Sequence, residues 1–156
     1  MNIFSMTCKQ VVESMYNRFG KGAFHARILY REIFKKGNPD FFNVSQLSLS
    51  KQFAEKLKEV LVFPEFEVCS CQSDKHNVTK FATKLYDGHI IESVIIPRNN
   101  RTTLCISSQV GCAMACAMCV TGKSGFVRKL HQEEITRQIF IARHKLKRNV
   151  DNVVFM

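Results

Sequence analysis

Three cysteines with the spacing C-x-x-x-C-x-x-C constrain the fold more than any other feature of the sequence. Cys112, Cys116 and Cys119 fall in a loop between a β-type run and a helix-type run. Thiolates are soft ligands that suit zinc and iron–sulfur clusters. A 4Fe–4S cluster usually takes four cysteines, so three would leave one iron open to bind a small molecule. A zinc site with its fourth ligand elsewhere and a set of buried, reduced thiols are the alternatives.

The cysteine loop lies inside a predicted strand–loop–helix–strand unit. Arg101–Ser107 has β character, His131–Lys147 is the most helix-like stretch, and Asp151–Met156 has the pattern of a buried strand. Since parallel connections are almost always right-handed, this order predicts the start of a right-handed βαβ unit. The cysteines would then follow the C-terminal end of the first strand, where α/β barrels carry their chemistry. The helix is expected to bury an apolar stripe of Ile135, Ile139, Ala142 and Leu146.

Two more strands are predicted before this unit. Val78–Tyr86 and Ile90–Ile96 alternate with a period of two, which is typical of strands. Asp87–Gly88 between them predicts a hairpin, because glycine accepts a positive φ without strain. Pro97–Asn100 predicts a second turn.

The first 62 residues predict a small helical accessory domain. Helices are expected over Lys9–Phe19, Ala23–Lys36 and Lys51–Leu61, because apolar side chains recur there at helical spacing. Ser50 is the predicted N-cap of the third helix, and Gly37–Pro39 is predicted to end the second. Residues 63–77 have the composition of a linker with extended pieces, and residues 78–156 form the α/β part.

The composition is that of a basic globular chain. The formal charge of +10 favours a polyanionic partner such as nucleic acid, although a merely basic soluble protein would carry it too. No stretch approaches the ~20 apolar residues of a membrane span, and no signal-peptide pattern opens the chain, so a cytoplasmic location without a membrane partner is predicted. Seven cysteines suit a reducing compartment. Four side chains are interpreted as incidental to any metal site: Cys8, Cys69, Cys71 and His76.

The segment around the cysteines resembles a known family. Arg101–Cys112 followed by Ala113–Phe126 closely resembles the radical S-adenosylmethionine RNA adenine methyltransferases. The likeness extends back through Ile91–Pro97 and, more faintly, to Phe24–Arg27 in the helical part. The resemblance implies methylation of carbon-2, or in one branch carbon-8, of an adenine in 23S ribosomal RNA. The carbon-2 branch also modifies transfer RNA.

The resemblance implies a cofactor site in the loop. Cys112, Cys116 and Cys119 would ligate a 4Fe–4S cluster, and the open iron would hold S-adenosylmethionine. Met118 would lie near the adenine of that cofactor, at a position where radical enzymes commonly have an aromatic residue.

Two further residues match catalytic positions of the family. Cys105 matches a cysteine that attacks a methylated partner cysteine and forms a transient disulfide. Glu92 matches a carboxylate proposed to accept a proton during turnover. From its sequence context alone, Glu92 is equally consistent with a solvent-facing residue on a strand.

The resemblance also predicts an incomplete enzyme. The family continues into a Gly-Met-Gly-Glu-Pro motif that grips S-adenosylmethionine and into a methyl-carrying cysteine, both absent from this sequence. We therefore expect an N-terminal part: a helical domain, a β-hairpin and the first βαβ unit of a truncated radical SAM barrel. Alone it is expected not to complete methyl transfer; a non-catalytic RNA-binding or cluster-binding fragment and the carbon-8 branch are the alternatives. Implied partners are 23S rRNA, tRNA and a flavodoxin-type electron donor, with a monomer at full length.

Overall fold

The structure is a computed structural model that describes residues 1–38, 40–48, 51–65 and 67–156. The chain divides into two compact units, Met1–Glu65 and Phe66–Met156. Pro39 and Ser50, with which the sequence predicts the end of one helix and the start of another, lie outside the described residues. None of the helices in the described ranges is long and apolar enough to cross a membrane.

The first unit is helical, as the apolar spacing predicts. Single turns of 3-10 helix cover Ile3–Ser5 and Phe41–Asn43, and a π-helical turn, Arg31–Lys35, extends the second helix. The helices are α1 (Cys8–Phe19), α2 (Ala23–Tyr30), α3 (Ser45–Ser48) and α4 (Lys51–Val60).

Local sequence sets both ends of α1. Thr7 and Gln10 form a capping box, in which the Thr7 side chain accepts from the Gln10 N–H and the Gln10 side chain accepts from the Thr7 N–H. Gly20 ends the helix with φ of +62°, a conformation that glycine adopts without strain. Val11 and Met15 are buried, but Tyr16, the next residue after Met15, is 66 % exposed. Tyr16 lies about 100° around the helix from Met15, beyond the apolar stripe.

The second unit is built on a mixed five-stranded sheet. Its order is β1-β2-β3-β4-β7, antiparallel except for the parallel pair β4 and β7. The α/β fold class is therefore confirmed. The range predicted as a linker contains β1, and β3 runs two residues beyond its predicted end. The strands are β1 (Val68–Ser73), β2 (Thr79–Lys84), β3 (Ile90–Arg98), β4 (Arg101–Ile106) and β7 (Asn152–Phe155).

A small hairpin frames the cysteine loop. β5 (Gln109–Gly111) pairs antiparallel with β6 (Phe126–Lys129), and a short helix, α5 (Val120–Lys123), lies between them. The helix α6 (Gln132–Phe140) follows and continues as a π-helical turn, Ile141–Lys145. β4, α6 and β7 thus form the predicted βαβ unit, with the cysteine loop after the C-terminal end of β4.

The sequence predicts that the last strand, β7, is buried, but this prediction is wrong. Val154, Phe155 and Met156 are 43 %, 62 % and 51 % exposed. Among the described strands, β7 lies at the edge of the sheet and has β4 as its single neighbour. Its apolar composition is typical of a strand covered on both sides, so here it leaves an apolar edge open to solvent.

We expect this edge to make the isolated chain self-associate, because an unprotected apolar edge strand pairs with other chains. Phe155→Lys should shift the chain toward monomer in sedimentation velocity, since edge lysines oppose strand pairing. Val62→Lys, at another exposed apolar position in the first unit, is the matched control and should leave association unchanged. A wild-type chain that sediments as a monomer at all concentrations would contradict this expectation.

Candidate functional site

The cysteine loop is closed at its base by the backbone. The Cys112 N–H donates to the Gly125 carbonyl over 2.9 Å, at the end of the β5–β6 hairpin. Inside the loop, the Cys119 N–H donates to the Cys116 carbonyl over 3.0 Å. The loop therefore leaves the β5–β6 hairpin and returns to it at the same point. All three cysteines lie within this closed loop.

Two glycines allow this close backbone approach. A Cβ on Gly111, whose φ is +72°, would lie 1.8 Å from the Gly125 oxygen. A Cβ on Gly122 would lie 3.0 Å from the Cys116 nitrogen. Gly111 was missed by sequence reasoning, although its place next to Cys112 was a usable signal. Ala115, between the first two cysteines, has a φ of +48°, which is unusual for a residue with a Cβ.

The three thiols share a loop but are not gathered at one point. Cys112 and Cys119 are half-buried and Cys116 is exposed. All seven cysteines are free. Among the described residues, no group of three or more His, Cys, Asp and Glu side chains is arranged to hold a metal ion. Met118, between the second and third cysteines, is 95 % exposed.

The donor set nevertheless fits a cluster held by three thiolates. Three soft sulfur donors lie on one short loop, and thiolates are the ligands that iron–sulfur clusters take. The tight backbone at Gly111 and Gly122 keeps side chains out of the base of the loop. Binding would require the loop to draw its thiols together.

Cys105 and Glu92 lie on one face of the sheet. Cys105 pairs with Val94, and Glu92 lies two residues before Val94 on the same strand. Alternate residues of a strand share a face, so both side chains belong to the face opposite the buried Leu104 and Ile106. Diagonal neighbours of this kind are about 7–8 Å apart. We call this face, with Glu92, Val94 and Cys105, the open face.

A lysine joins Glu92 on the open face. Lys80 Nζ lies 2.8 Å from Glu92 Oε1, and both side chains are about half exposed. Ion pairs this exposed contribute about 0–1 kcal/mol, so the pair does little for stability. Sequence reasoning missed Lys80, because its cross-strand position became visible only with the register of β2 and β3.

Gln138, on α6, fixes the junction between β4 and the cysteine loop. Its side-chain oxygen accepts from the Ser107 N–H and the Ser93 hydroxyl, both over 2.8 Å. Its side-chain nitrogen donates to the Ser107 carbonyl over 2.9 Å and to the Glu134 carbonyl over 3.3 Å. Gln138 is fully buried. Of the apolar stripe predicted for this helical stretch, Ala142 is buried and Ile135, Ile139 and Leu146 are half-buried. The buried face also includes three polar residues that the stripe did not contain: Glu134, Arg137 and Gln138.

Arg128, on β6, ties the hairpin to α6. It donates to both carboxylate oxygens of Glu134 over 2.8 Å and to Asp87 Oδ2 over 2.7 Å. Burial raises the pKa of the Glu134 carboxyl, but hydrogen bonds from Arg128 and from the His131 N–H, with the Arg128 charge, bring the pKa below its usual range. Such bidentate, charge-assisted pairs are strong and geometrically specific.

We predict that acid weakens the second unit through Glu134. A carboxyl whose pKa is lowered on folding stabilises the protein above its unfolded pKa, and this contribution is lost as pH falls through the folded value. Wild type should therefore lose more unfolding free energy than Glu134→Gln on acidification below about pH 4.3. Urea unfolding at several pH values measures this difference. Equal pH dependence in the two proteins would contradict the prediction.

Comparison with known proteins gives relatives over the whole chain. The RNA methyltransferase RlmN 1 of Protochlamydia amoebophila, described as probable and dual-specificity, is 36 % identical over 163 residues, covering 100 % of this chain and 43 % of that protein. The dual-specificity RNA methyltransferase RlmN of Desulfotalea psychrophila is 36 % identical over 166 residues, covering 100 % and 45 %. The chain is therefore similar along its whole length to curated RNA methyltransferases. It spans less than half the length of these relatives.

A solved structure shows the same fold. A radical SAM methyltransferase from Sphaerobacter thermophilus superposes with a TM-score of 0.81 at 23 % identity, covering 98 % of this chain and 45 % of that one. At this sequence identity, the structural similarity shows the fold alone. No protein-family model matches the chain. The predicted resemblance to RNA methyltransferases is confirmed.

Proposed function

We propose that this chain is the part of a radical SAM RNA adenine methyltransferase that holds the cluster and one face of the reaction site. The observation that carries the proposal is the position of the cysteine loop. It follows the C-terminal end of β4 inside a parallel βαβ unit, beside an open face that carries a thiol and a carboxylate. In α/β barrels this end of the strands is the reactive end.

Each residue has a separate role in the proposal. Cys112, Cys116 and Cys119 hold a 4Fe–4S cluster. When bound together with S-adenosylmethionine, such a cluster supplies one-electron radical chemistry. Glu92 accepts a proton at its carboxylate, and the Cys105 thiolate would attack the sulfur of a partner cysteine whose methyl-derived carbon is bonded to the adenine, so that a disulfide forms as that sulfur–carbon bond breaks and the product leaves.

The surroundings of these residues support their roles. Glu92 and Cys105 are accessible from the open face rather than sealed in the core, as groups that meet a large substrate must be. Met118 is almost wholly exposed, so it can cover the adenine of a bound S-adenosylmethionine with an adaptable apolar side chain.

The proposed substrate is an adenine of 23S rRNA and of tRNA. Support comes from the names of the relatives, which describe RNA methyltransferases of dual specificity, and from the charge of +10. A basic surface attracts the RNA backbone through phosphate contacts. A flavodoxin-type electron donor, a cytoplasmic location and a monomeric full-length enzyme complete the proposal.

A second candidate is an RNA-binding or cluster-binding protein without methyl transfer. The coverage of 43 % and 45 % of the relatives favours it for the isolated chain. The two candidates differ in what this segment can do when the rest of an enzyme is supplied.

A chimera tests the proposal directly. The aligned segment of the Protochlamydia relative is replaced by this chain, and RNA incubated with the chimera is digested and its methyladenosines measured by mass spectrometry. We expect methylated adenosine, with the position of the methyl group deciding between carbon-2 and carbon-8. The same chimera with Cys112→Ala should make none. A folded, iron-loaded chimera that binds RNA without methylating it would favour the second candidate.

A further inference from the structure

Two buried polar side chains of α6 hold the two ends of the cysteine loop. Glu134 and Gln138 are four residues apart, so they lie on the same face of the helix. Glu134 is 1 % exposed and Gln138 is 0 % exposed. Polar groups buried this deeply destabilise a fold unless they are fully hydrogen-bonded. Their hydrogen-bond partners show which parts of the chain these two side chains hold in place.

Gln138 acts at the entrance of the loop. Its amide pairs with both the N–H and the carbonyl of Ser107, so the side chain takes the place of a neighbouring strand just where β4 ends. A side-chain amide offers two acceptor sites and two donors, and here all four are used. The pairing with Ser107 fixes which side of the amide carries the oxygen.

The Ser107 junction also contacts the strand that carries Glu92. The Ser107 hydroxyl donates to the Glu92 backbone carbonyl over 2.7 Å, and Cys105 lies two residues before Ser107 in the chain. Ser107 therefore links the backbone of β3 at Glu92 to the start of the loop.

Glu134 acts at the exit of the loop. It holds Arg128 by two hydrogen bonds of 2.8 Å, and Arg128 lies on β6, directly opposite Val110 on β5. Through Asp87 the same guanidinium also holds the turn between β2 and β3. The exit strand thus has a fixed position relative to both α6 and the sheet.

We propose that Gln138 and Glu134 are positioning residues, which set the two ends of the cysteine loop so that its three thiols can meet on one cluster. This inference rests on the proposed function for what the loop holds. The loop itself has an exposed middle and depends on its ends for its path. Since the helix fixes the distance between the Gln138 and Glu134 side chains, α6 sets the distance between the two ends of the loop.

Hydrogen exchange tests the positioning without any cluster. In the apo chain, Gln138→Met should speed exchange of the Ser107 amide at least tenfold, because methionine has a similar shape and no hydrogen bonds to offer. Arg128→Lys should do the same for the Cys112 amide, because lysine keeps the charge but loses the planar fork. Gln132→Met, the same change at an exposed position of α6, is the control and should alter neither amide.

Cluster loading tests whether the positioning matters for the site. With iron limiting, Gln138→Met should bind at least fivefold less iron per chain than Gln132→Met. Ile95→Ala lowers the stability of the same sheet from a buried position without changing a partner of Gln138. If Ile95→Ala lowers the Tm as much as Gln138→Met does, it should still load iron like wild type. The proposal would be overturned if Gln138→Met left the exchange of the Ser107 amide unchanged. It would also be overturned if Ile95→Ala lost as much iron as Gln138→Met.

The two proposals fail in different ways. A wild-type chain that binds no iron would remove the proposed function, while the exchange rates of Ser107 and Cys112 would still decide whether α6 positions the loop. Normal iron loading in both Gln138→Met and Arg128→Lys would remove the positioning role and leave the proposed function intact.

Discussion

Cys112→Ala is expected to reduce iron and sulfide incorporation to background. Cys112 is the first of the three loop cysteines, and its N–H closes the base of the loop on Gly125. Two remaining thiolates cannot hold a cluster that already lacks a fourth protein ligand. The substitution leaves the backbone hydrogen bond in place, so the loss would be one of ligation. Iron and sulfide analysis after anaerobic reconstitution measures it.

Cys69→Ala provides the matched control. Cys69 is a free cysteine like Cys112, but it is exposed and lies on β1, outside the loop, where the sequence predicts no role in a metal site. It should load iron and sulfide like wild type, and Cys116→Ala and Cys119→Ala should behave like Cys112→Ala. Full iron and sulfide content in the Cys112→Ala chain would remove that residue from the ligand set.

Gly111→Ala is expected to be the most damaging single backbone substitution in the second unit. The new Cβ would meet the Gly125 oxygen at 1.8 Å, and that oxygen belongs to the backbone, so the β5–β6 hairpin must open. A left-handed backbone costs an alanine about 1–2 kcal/mol, and the clash adds to this. We expect a total of about 3 kcal/mol or more, measured by urea unfolding, together with loss of cluster loading.

Gly88→Ala separates the clash from the backbone strain. Gly88 has a φ of +85° and nothing within 4 Å of its added Cβ. It should therefore show only the cost of the left-handed conformation, about 1–2 kcal/mol, and load iron normally. Equal destabilisation by the two substitutions would mean that the close approach at Gly111 does not hold the loop.

Sequence reasoning succeeded where the determinants are local. The β2–β3 hairpin follows from alternation on either side of Asp87–Gly88, and α1 from its apolar spacing and Gly20. The cysteine segment carried enough specific residues to identify the family. These features depend on contacts between residues close in the sequence, which a pattern can record.

Sequence reasoning failed where partners are distant in the sequence. A glutamine on a helix is usually exposed, but Gln138 is buried, and its side-chain amide hydrogen-bonds to Ser107, 31 positions away. The β5–β6 hairpin was missed because strands this short carry almost no period. β7 has the composition of a covered strand, but within the described ranges it has one neighbouring strand, β4. Only the assembled sheet reveals these contexts.

The most direct test of the account is electron paramagnetic resonance of the reconstituted, reduced chain with and without S-adenosylmethionine. We expect about four iron and four sulfide per chain, and a spectrum that changes when S-adenosylmethionine is added, because one iron is open to it. A colourless chain with one tightly bound zinc, or a cluster whose spectrum does not change with S-adenosylmethionine, would show that the cysteine loop is not a radical SAM site.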